Sequence, residues 1–341
     1  MPHSTSYPVL PKSRILVTGA CGSVGSTLVK RLLNDGHTVC AFDNSEDGLF
    51  KLDQSEAHRN EQLRVFLGDI RDLGRVTQAM ERVNYVFHCA GLKHVYICEY
   101  NPLEAVQTNV TGSNNIIKAA LDTGVERVVF TSSDKAVNPT STMGASKLLA
   151  ERLFIAANSH TGKHRTRFSV VRFGNVLNSN GSVLQIFQRQ INEGCPLTIT
   201  STGMTRFFLS MDQSIDLCIQ AAQDMCGGEI FIKNMGACDV LALARIVTGD
   251  SRKFEFVEIG CKPGEKLYEE LVTDIESLRT IADGNTYIIL PEAKNFWPEN
   301  IVNCLSKYDG KKFINKPVRS DNDILSDESI RSMLIDAQLF V

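Results

Sequence analysis

The stretch RILVTGACGSVGSTLVKRLLNDG, residues 14–36, decides the fold. It opens with a short β-rich run at residues 14–18, passes through a glycine-rich turn and continues as a helical pattern. The glycines are spaced G-x-x-G-x-x-G, at Gly19, Gly22 and Gly25. In a dinucleotide site the first glycine permits the tight turn, the second admits a pyrophosphate close to the backbone, and the third lets the helix pack on the strand. We therefore predict a strand, turn and helix that hold a dinucleotide pyrophosphate at the positive end of the helix.

An acidic residue at the end of the next strand indicates the kind of dinucleotide. The run TVCAF, residues 38–42, leads to Asp43, which lies 18 residues after Gly25. A carboxylate there accepts hydrogen bonds from the ribose hydroxyls and repels a 2′-phosphate, so NAD is favoured over NADP. A solvated loop aspartate is the alternative interpretation of Asp43.

Two further β-rich runs lead to the remaining cofactor candidates. LRVFLG, residues 63–68, precedes Asp69 and Ile70, where an adenine edge can be met. YVFHCAG, residues 85–91, ends in small residues near Lys93, which suits close passage of the cofactor. The predicted cofactor contacts are Gly19, Gly22, Ser23, Val24, Gly25, Asp43, Asn44, Asp69, Ile70, Cys89, Ala90, Gly91, Lys93, Asn109 and Lys147.

Apolar runs that alternate with helical patterns predict the fold class. Residues 101–122 fit a long helix that contains Asn109, and VERVVFTSS and RFSVVRFGNV supply a fifth and a sixth strand. This alternation indicates βαβ units and hence an α/β fold with a Rossmann-type, doubly wound parallel sheet. Ligands of such sheets collect at the carboxyl ends of the strands. The candidates for chemistry at those ends are Ser133, Asp134, Lys135 and Asn175.

The strict alternation loosens after residue 178, which predicts a second, smaller unit. We expect a NAD-binding domain over residues 12–178, completed by about residues 210–235, and a substrate-binding domain made of residues 179–209 and 236–341. In the latter, CKPGEKLYEELV is expected to start a helix near Gly264, and a final amphipathic stretch includes DESIRSMLIDAQLF.

Composition limits the function classes. The chain has 341 residues, a net charge of −3 and a pI near 6.2, so there is no global electrostatic case for binding nucleic acid or a membrane surface. The first dozen residues lack the apolar core of a signal peptide, and no apolar run is long enough to span a bilayer. The ten cysteines are scattered, without metal-ligand spacing. We expect reduced, mostly buried cysteines, no metal and a cytoplasmic protein.

Seven motifs, taken in order, resemble the extended short-chain dehydrogenase/reductases. They are GACGSVG, GDIRD, AGLKHV, SSDKAVNPTSTMGASK, FGNV, MTRFFLSMDQSIDL and PGEKLYEELV. More narrowly the chain resembles the UDP-N-acetylglucosamine 4,6-dehydratases of bacterial polysaccharide biosynthesis, over about residues 14–275. The Asp134–Lys135 pair with PGEK is far more specific than the glycine turn. The resemblance implies NAD as cofactor and a UDP-sugar as substrate.

The implied reaction needs an acid and a base at one place. Oxidation of C4 by hydride transfer to NAD acidifies the C5 hydrogen; a base removes it, an acid protonates the departing C6 hydroxyl, and the hydride returns to C6. Asp134 and Lys135, adjacent at a strand terminus, supply a carboxyl and an amine. The resemblance implies that Asp134 protonates the C6 oxygen and Lys135 takes the C5 proton. As a base, Lys135 needs a pKa well below about 10.4. A surface Asp-Lys pair in a turn is the alternative.

Met143 stands where many related enzymes have the tyrosine of a Tyr-x-x-x-Lys pair. A thioether has no proton to exchange, so the C4 hydroxyl proton must go elsewhere. Asp134, Lys135, Lys147 and an ordered water all remain open as its acceptor. Lys147, one helical turn after Met143, can still hold the nicotinamide ribose. Met143 is expected to form an apolar wall against sugar and nicotinamide, and a core methionine outside the site is the alternative.

Further residues are assigned to the substrate by the same resemblance. They are Lys93, Asn175, Arg206, Glu265 and Lys266, of which Arg206 and Lys266 would neutralise a nucleotide diphosphate. Each is also compatible with an ordinary surface position. A nucleotide-sugar 4-epimerase and a non-catalytic NAD-sensing regulator are the alternative functions, and neither needs the Asp134–Lys135 pair. We expect a homo-oligomer, a dimer or higher. The C5 configuration of the product stays open.

Overall fold

The computed structural model describes residues 10–59, 61–161, 165–249, 253–292 and 297–339. Its strands are β1 (Arg14–Thr18), β2 (Thr38–Asp43), β3 (Leu63–Leu67), β4 (Tyr85–His88), β5 (Arg127–Ser133), β6 (Arg167–Phe173), β7 (Asn175–Val176), β8 (Leu197–Ile199), β9 (Thr205–Leu209), β10 (Ile230–Lys233), β11 (Ala237–Asp239), β12 (Phe256–Glu258), β13 (Glu270–Val272), β14 (Thr280–Asp283), β15 (Thr286–Ile289) and β16 (Val318–Arg319).

The α-helices of the described residues are α1 (Ser23–Asn34), α2 (Glu46–Ser55), α3 (Leu73–Ala79), α4 (Val95–Tyr100), α5 (Pro102–Ala105), α6 (Ser113–Thr123), α7 (Thr142–Ala157), α8 (Val183–Asn192), α9 (Met211–Asp224), α10 (Val240–Thr248), α11 (Asp274–Ser277), α12 (Glu299–Leu305) and α13 (Asp327–Asp336). A π-helical segment, Val106–Gly112, joins α5 to α6.

The main sheet has the strand order β14-β15-β10-β6-β5-β4-β1-β2-β3. From β3 to β10 every pairing is parallel, and β15 and β14 then add an antiparallel edge. This is the doubly wound order with its switch point between β1 and β4, where such folds bind their ligands. The predicted fold class is therefore confirmed.

Apolar side chains account for the central strands and the helices against them. The middle of β1 is a continuous run of fully buried residues, Ile15, Leu16 and Val17, as expected of a parallel strand that is covered on both faces. Helix α1 buries Leu28 and Leu32 against the sheet. One large core consequently underlies the carboxyl ends of the parallel strands.

The predicted long helix at residues 101–122 exists, but it is not uniform. It begins at Pro102, which is well suited to a first helical position because its missing N–H has no helical partner there. The π-helical segment then widens the helix around Asn109, and Gly124 ends it in the left-handed conformation. Short π-helical segments often occur at functional sites, and this one carries a predicted cofactor residue.

The second half forms smaller layers beside the main sheet. The sheets β11-β9-β7 and β12-β8 pack with α8, α10 and α13 around two smaller apolar clusters. The third short sheet, β13-β16, contributes Leu271 and Val272 to the large core. GEIFIK supplies β10 and returns to the main sheet beside β6. The main sheet also includes β14 and β15, from the range assigned above to the substrate-binding domain, and the domain division itself stays a prediction.

Two expectations for the second half were wrong. Gly264 lies in a turn, and Glu265 and Lys266 follow it in irregular backbone and not at the start of a helix, because the segment leads into the strand β13, which pairs with β16. Cys226 and Cys304 form a disulfide, whereas all ten cysteines were expected to be reduced. Folding brings these two residues together across 78 positions of the sequence, a proximity that their spacing does not reveal.

Candidate active site

A cleft of about 1350 Å³ runs along the carboxyl ends of the parallel strands. Its walls contain every site residue that the sequence singled out except two: Asp134 and Asn109 lie behind the wall. The predicted residues therefore come together at one place although they are spread over most of the chain. Their individual contacts decide what each can do.

The glycine turn is shaped for a close ligand. Gly19 has a φ of +67°, and a Cβ there would lie 2.6 Å from the Ala90 backbone nitrogen. A Cβ on Gly25 would collide with the Gly19 carbonyl oxygen, so strand and helix approach each other only because both residues are glycine. Gly22 is the N-cap of α1 and has no side chain to accept the first N–H donors, which are left for an anionic ligand.

Asp43 is fixed beside this turn. Its carboxylate accepts hydrogen bonds from the Cys21 and Ser45 backbone N–H groups, both at 2.9 Å. Further along the same edge, Asp69 pairs with Arg71, whose hydrogen bonds lower the pKa of Asp69. The glycine turn, which has no room for side chains at Gly19 and Gly25, fits the pyrophosphate of a dinucleotide. The oriented carboxylate of Asp43 fits the ribose.

Asn109 supports the cleft from behind. Its Oδ1 accepts a hydrogen bond from the Leu92 N–H at 2.8 Å, and its Nδ2 donates to the Leu92 carbonyl at 3.0 Å and to Ser146 Oγ at 2.9 Å. The side chain thus ties the loop after β4 to α7. A Cβ on Gly91, in that loop, would lie 3.0 Å from both Asn109 Oδ1 and Lys147 Nζ, so a larger residue would require these side chains to shift.

Lys147 is a buried lysine in the wall of the cleft. Its Nζ donates to the Thr131 carbonyl at 3.1 Å and lies 4.7 Å from the centre of the Phe130 ring. Burial lowers the pKa of Lys147 to about 8, although Cys89, Glu151 and Cys98 act in the opposite direction. An amine with this pKa is substantially neutral near pH 8 and can accept a proton.

Met143 lies on the same face of α7, one turn before Lys147. It is buried in a small apolar cluster with Cys98 and Ala105, and it also lines the cleft. Ser141 caps the helix by accepting the Gly144 N–H, which fixes the position of Met143. This apolar environment is compatible with the packing role predicted for Met143.

Asp134 and Lys135 form a short helical turn directly after β5. The Lys135 ammonium donates to Asp134 Oδ1 at 3.0 Å and to Asn175 Oδ1 at 3.3 Å. Ser133 Oγ donates to the same Asp134 oxygen at 2.7 Å. Burial acts to lower the pKa of Lys135, but the carboxylates of Asp134 and Glu269 outweigh it, so the pKa lies above its ordinary value. A lowered pKa, which Lys135 needs in order to act as a base, stays a prediction for the enzyme with its cofactor and substrate bound.

Glu269 is a buried acidic residue of this site that the sequence analysis did not single out. Its side chain is almost fully buried and lines the cleft, with Oε1 3.7 Å from Lys135 Nζ. Two other cations lie near its carboxylate: Arg206 Nε is 4.0 Å from Oε1, and Lys266 Nζ is 3.8 Å from Oε2. The signal lay in the PGEKLYEELV motif, but a helical reading of that motif does not direct Glu269 toward Lys135.

The predicted substrate residues surround this cluster. Arg206 donates its Nη atoms to backbone carbonyls, among them that of Lys266 at 2.8 Å. The Lys266 ammonium donates to the Val137 carbonyl at 2.7 Å, and Glu265 accepts the Lys262 N–H at 3.0 Å. Lys93 reaches across to the Asn180 carbonyl at 2.7 Å. All of these residues line the cleft, so cations are concentrated there despite the negative net charge.

The described residues contain neither a metal-binding cluster nor a membrane-spanning helix. Within them, no group of His, Cys, Asp and Glu side chains is arranged to hold a metal ion. No helix in that same part of the chain is long and apolar enough to cross a membrane.

Comparison with known proteins identifies the family of the chain. A family model described as "Polysaccharide biosynthesis protein" matches residues 15–291. The chain is 44% identical over 311 residues to an uncharacterised membrane protein of Methanocaldococcus jannaschii, covering 89% of this chain and 92% of that protein. It is 37% identical over 318 residues to a UDP-N-acetylglucosamine 4,6-dehydratase (inverting) of Campylobacter jejuni, covering 92% of this chain and 94% of that protein.

Other relatives carry another enzyme name. A UDP-glucose 4-epimerase of Rickettsia rickettsii is 38% identical over 284 residues, 81% of this chain and 82% of that protein. Among solved structures, Pen from Bacillus thuringiensis matches with a TM-score of 0.88 and 38% identity, covering 97% of this chain and 99% of that chain.

The fold, the cleft and these matches define an enzyme of the extended short-chain dehydrogenase/reductase class that modifies nucleotide sugars. Within that class, the chain belongs to the UDP-N-acetylglucosamine 4,6-dehydratase family of polysaccharide biosynthesis proteins.

Proposed function

We propose that this protein is a lyase that removes water from UDP-N-acetylglucosamine to give a UDP-2-acetamido-2,6-dideoxy-4-hexulose, with NAD as its cofactor, for surface polysaccharide or glycan biosynthesis. The observation that carries the proposal is the Asp134–Lys135–Asn175 contact at the carboxyl ends of β5 and β6, against the cleft. An elimination needs an acid and a base together, and this contact joins a carboxyl to an amine.

Bound NAD would be held by the glycine turn, Asp43 and Lys147, and it would take the C4 hydrogen as hydride and return it to C6. The protein's own residues handle the protons. One proton leaves the C4 hydroxyl and one is needed by the departing C6 hydroxyl, so the net loss of water consumes no external acid. The C5 proton passes to a base, Lys135, and a proton later returns from it to C5. The resemblance assigns the acid to Asp134.

Lys147 is the best-supported acceptor of the C4 hydroxyl proton. It lines the cleft, whereas Met143 has no proton to exchange. Its pKa of about 8, lowered by burial, contrasts with the raised pKa of Lys135. Of the two lysines, Lys147 is therefore the one that is more easily neutral at physiological pH.

Asp43 should decide the choice between the two nicotinamide dinucleotides. The purified protein is expected to hold NAD in preference to NADP, because the fixed carboxylate accepts ribose hydroxyls and repels a 2′-phosphate. Asp43→Ala should reduce that preference by about tenfold or more, roughly one charge-assisted hydrogen bond. Titration of both dinucleotides with intrinsic fluorescence measures it. Tightly bound NADP in the native protein would contradict the assignment.

Met143→Leu should leave turnover within about tenfold of the native rate, because volume and polarity are nearly conserved in the apolar cluster with Cys98 and Ala105. Steady-state turnover of UDP-N-acetylglucosamine is the measurement. A folded, NAD-binding Met143→Leu protein as inactive as Lys135→Ala would show that the sulfur itself matters, and the packing account would fail.

A 4-epimerase is the second candidate, favoured by the relatives that carry that name. It shares fold and cofactor, but it leaves C5 and C6 untouched and has no use for the Asp134–Lys135 pair. An NAD-sensing regulator would need neither this pair nor the cations that line the same cleft.

Product analysis separates these possibilities. The protein is incubated with UDP-N-acetylglucosamine in deuterium oxide, and the product is examined by NMR. A dehydratase gives a 4-keto-6-deoxy sugar with deuterium at C5, and the C5 configuration shows which face is reprotonated. A C4 epimer without a ketone would replace the proposal with the epimerase.

The oligomeric state is part of the proposal. Large apolar side chains on α4, α5 and α7 are exposed side by side, including Tyr100 at 83%, Leu103 at 64% and Leu149 at 53%. Exposed apolar area of this kind commonly marks an interface. We propose that a second copy of the chain covers it, which sedimentation velocity of the native protein and of Leu103→Glu tests. A cytoplasmic location stays a prediction.

A further inference from the structure

Lys147 and Glu151 lie one turn apart on the same buried face of α7. Their positions differ by four, the spacing that makes two side chains neighbours on a helix. Lys147 is 7% exposed and Glu151 is 1% exposed. The Nζ atom of Lys147 contacts uncharged groups, the Thr131 carbonyl at 3.1 Å and the Phe130 ring at 4.7 Å. Its charge state is therefore open to the influence of charges that it does not touch.

The titratable groups around Lys147 differ in whether they carry a charge. Burial raises the pKa of the Cys89 thiol, after β4, and of the Cys98 thiol, on α4, so both are neutral at physiological pH. His88 on β4 is neutral as well, because burial lowers its pKa to about 3. Burial also lowers the pKa of Lys147, and the carboxylate of Glu151 acts in the opposite direction. Glu151 is thus the charged neighbour of Lys147 in this group.

Other elements that pack against α7 carry carboxylates with partners of their own. Asp134, in the turn after β5, pairs with the lysine that follows it. Glu104 of α5 pairs with the arginine of the GDIRD motif. Glu99 of α4 accepts a hydrogen bond from a backbone N–H in the first turn of α7. These partners take up the charge of the three carboxylates, whereas Glu151 shares a helix face with Lys147.

The charge of Glu151 is only partly compensated. Arg172 of β6 donates to it from Nε at 3.1 Å and from Nη2 at 2.8 Å. The same guanidinium donates twice to Glu276 of α11, both times at 3.1 Å. All three side chains are buried. One guanidinium thus faces two carboxylates, which leaves one negative charge uncompensated in this cluster, a helical turn from Lys147.

Burial makes such a charge effective, because water and salt screen it little. A buried amine with no anion nearby loses its proton, whereas one beside an uncompensated carboxylate keeps it. The proposed reaction needs both forms of Lys147: an ammonium that holds the nicotinamide ribose, and a neutral amine that takes the C4 hydroxyl proton. A carboxylate that shares its arginine with a second carboxylate has an influence between these two extremes.

We propose that Glu151 is a positioning residue that acts through Lys147: its half-compensated charge keeps Lys147 near the balance between ammonium and amine, and Arg172 sets how strongly it acts. The proposal rests on the dehydration proposed above. In that reaction the C4 O–H bond breaks, its electron pair forms the ketone as the C4 hydrogen leaves as hydride, and Lys147 gains an N–H bond. Loss of that proton to water restores the amine. Neither Glu151 nor Arg172 lines the cleft, so both act without touching the sugar.

The test follows the titration of Lys147 itself. The purified protein is labelled with ¹³C at the lysine ε carbons and titrated by NMR, and the Lys147 signal is identified by its absence from Lys147→Arg. Glu151→Gln should lower the Lys147 midpoint by about 1 pH unit relative to the native protein, because it removes the negative charge at constant shape. The pH profile of turnover at low substrate concentration should move down by the same amount.

Glu276→Gln is the matched control. It removes the other carboxylate from the same guanidinium and disturbs the same buried cluster, but it leaves the Arg172–Glu151 pair in place. The Lys147 midpoint should fall by less than about 0.5 pH units, because the negative charge one turn from Lys147 remains. A cluster that only stabilises the fold would leave the midpoint unchanged in both variants.

Arg172→Met tests the same relation with the opposite sign, and it serves alone if Glu151→Gln does not fold. Loss of the guanidinium removes a positive charge and leaves Glu151 uncompensated, so the Lys147 midpoint should rise above the native value. Circular dichroism and NAD titration show whether each variant is folded. An unchanged or lowered midpoint in folded Arg172→Met would overturn the proposal.

The outcomes also separate this proposal from the dehydration. A Lys147 midpoint that is the same in the native protein and in Glu151→Gln overturns the role of Glu151 alone, whatever the product. A lowered midpoint without a matching move of the pH profile overturns Lys147 as the acceptor of the C4 hydroxyl proton, and it leaves Glu151 as the residue that sets the charge of Lys147. Opposite shifts in Glu151→Gln and Arg172→Met, each followed by the pH profile, support both proposals.

Discussion

Replacing Lys147 with arginine is expected to lower dehydration by about 10³-fold while NAD binding is retained. Arginine keeps the positive charge and can still donate toward the Thr131 carbonyl, but its guanidinium does not lose a proton in proteins. The variant thus separates the cationic duty of Lys147 from the proton-accepting duty proposed here. Turnover of UDP-N-acetylglucosamine and NAD titration are the two measurements, and Lys118→Arg, at an exposed position of α6, is the control.

The pH dependence gives a second view of the same group. The proposed role requires the neutral amine as the active form, and burial lowers the pKa of Lys147 to about 8. The native rate at low substrate concentration should therefore rise with pH through about 8 and fall as the pH drops below it. Retention of activity within about tenfold by Lys147→Arg, together with a flat profile in this range, would show that the C4 hydroxyl proton goes elsewhere.

The second large effect concerns stability. Arg172 on β6 is fully buried and forms bidentate contacts with Glu151 of α7, at 2.8 and 3.1 Å, and with Glu276 of α11, both at 3.1 Å. Arg172→Met leaves two buried carboxyls without their cation, which should lower the free energy of unfolding by about 3–5 kcal/mol. Denaturant unfolding measures it. Arg152→Met, at an exposed position of α7, should change it by less than about 0.5 kcal/mol.

Acid unfolding identifies the source of that stability. Burial acts to raise the pKa of Glu276, but the charge of Arg172 and its hydrogen bonds outweigh burial. The pKa of Glu276 is lowered to about 2, from an ordinary value of 4.5. The contribution of Glu276 is therefore complete above about pH 4.5 and is lost as the pH falls toward 2. Burial lowers the pKa of His88 to about 3, so its neutral form in the folded protein reduces the free energy of unfolding as the pH falls below about 6.5. This contribution is the same in both proteins. A native protein and an Arg172→Met variant with equal slopes between pH 4.5 and 2 would contradict this assignment.

The first half of the fold was predictable because its signals are local. Continuous apolar runs such as residues 15–17 indicate parallel strands, and the glycine turn fixes how the first strand meets its helix. The helix predicted within residues 261–272 was wrong for a physical reason. Its apolar residues Leu267 and Leu271 are spaced like one face of a helix, but β13 forms by pairing with β16, more than 40 residues further along the chain. Strand pairing over that sequence separation gives no local signal in the sequence.

The site was predictable where strand ends define it. Asp134, Lys135 and Asn175 were predicted as candidates because they follow the ends of strands. The structure brings them together because β5 and β6 are neighbours in the parallel sheet. Glu269 was missed because it reaches the same cluster from the residue before β13, whose position depends on pairing with β16. The disulfide between Cys226 and Cys304 was missed for the same reason.

The most direct test of the proposed reaction follows one hydrogen atom. UDP-N-acetylglucosamine carrying deuterium at C4 is incubated with the protein and NAD in ordinary water, and the product is analysed by NMR and mass spectrometry. The dehydration predicts a ketone at C4 and deuterium at C6, transferred within the same sugar. A product that keeps its deuterium at C4, with the C4 hydroxyl inverted and C6 unchanged, would contradict the account.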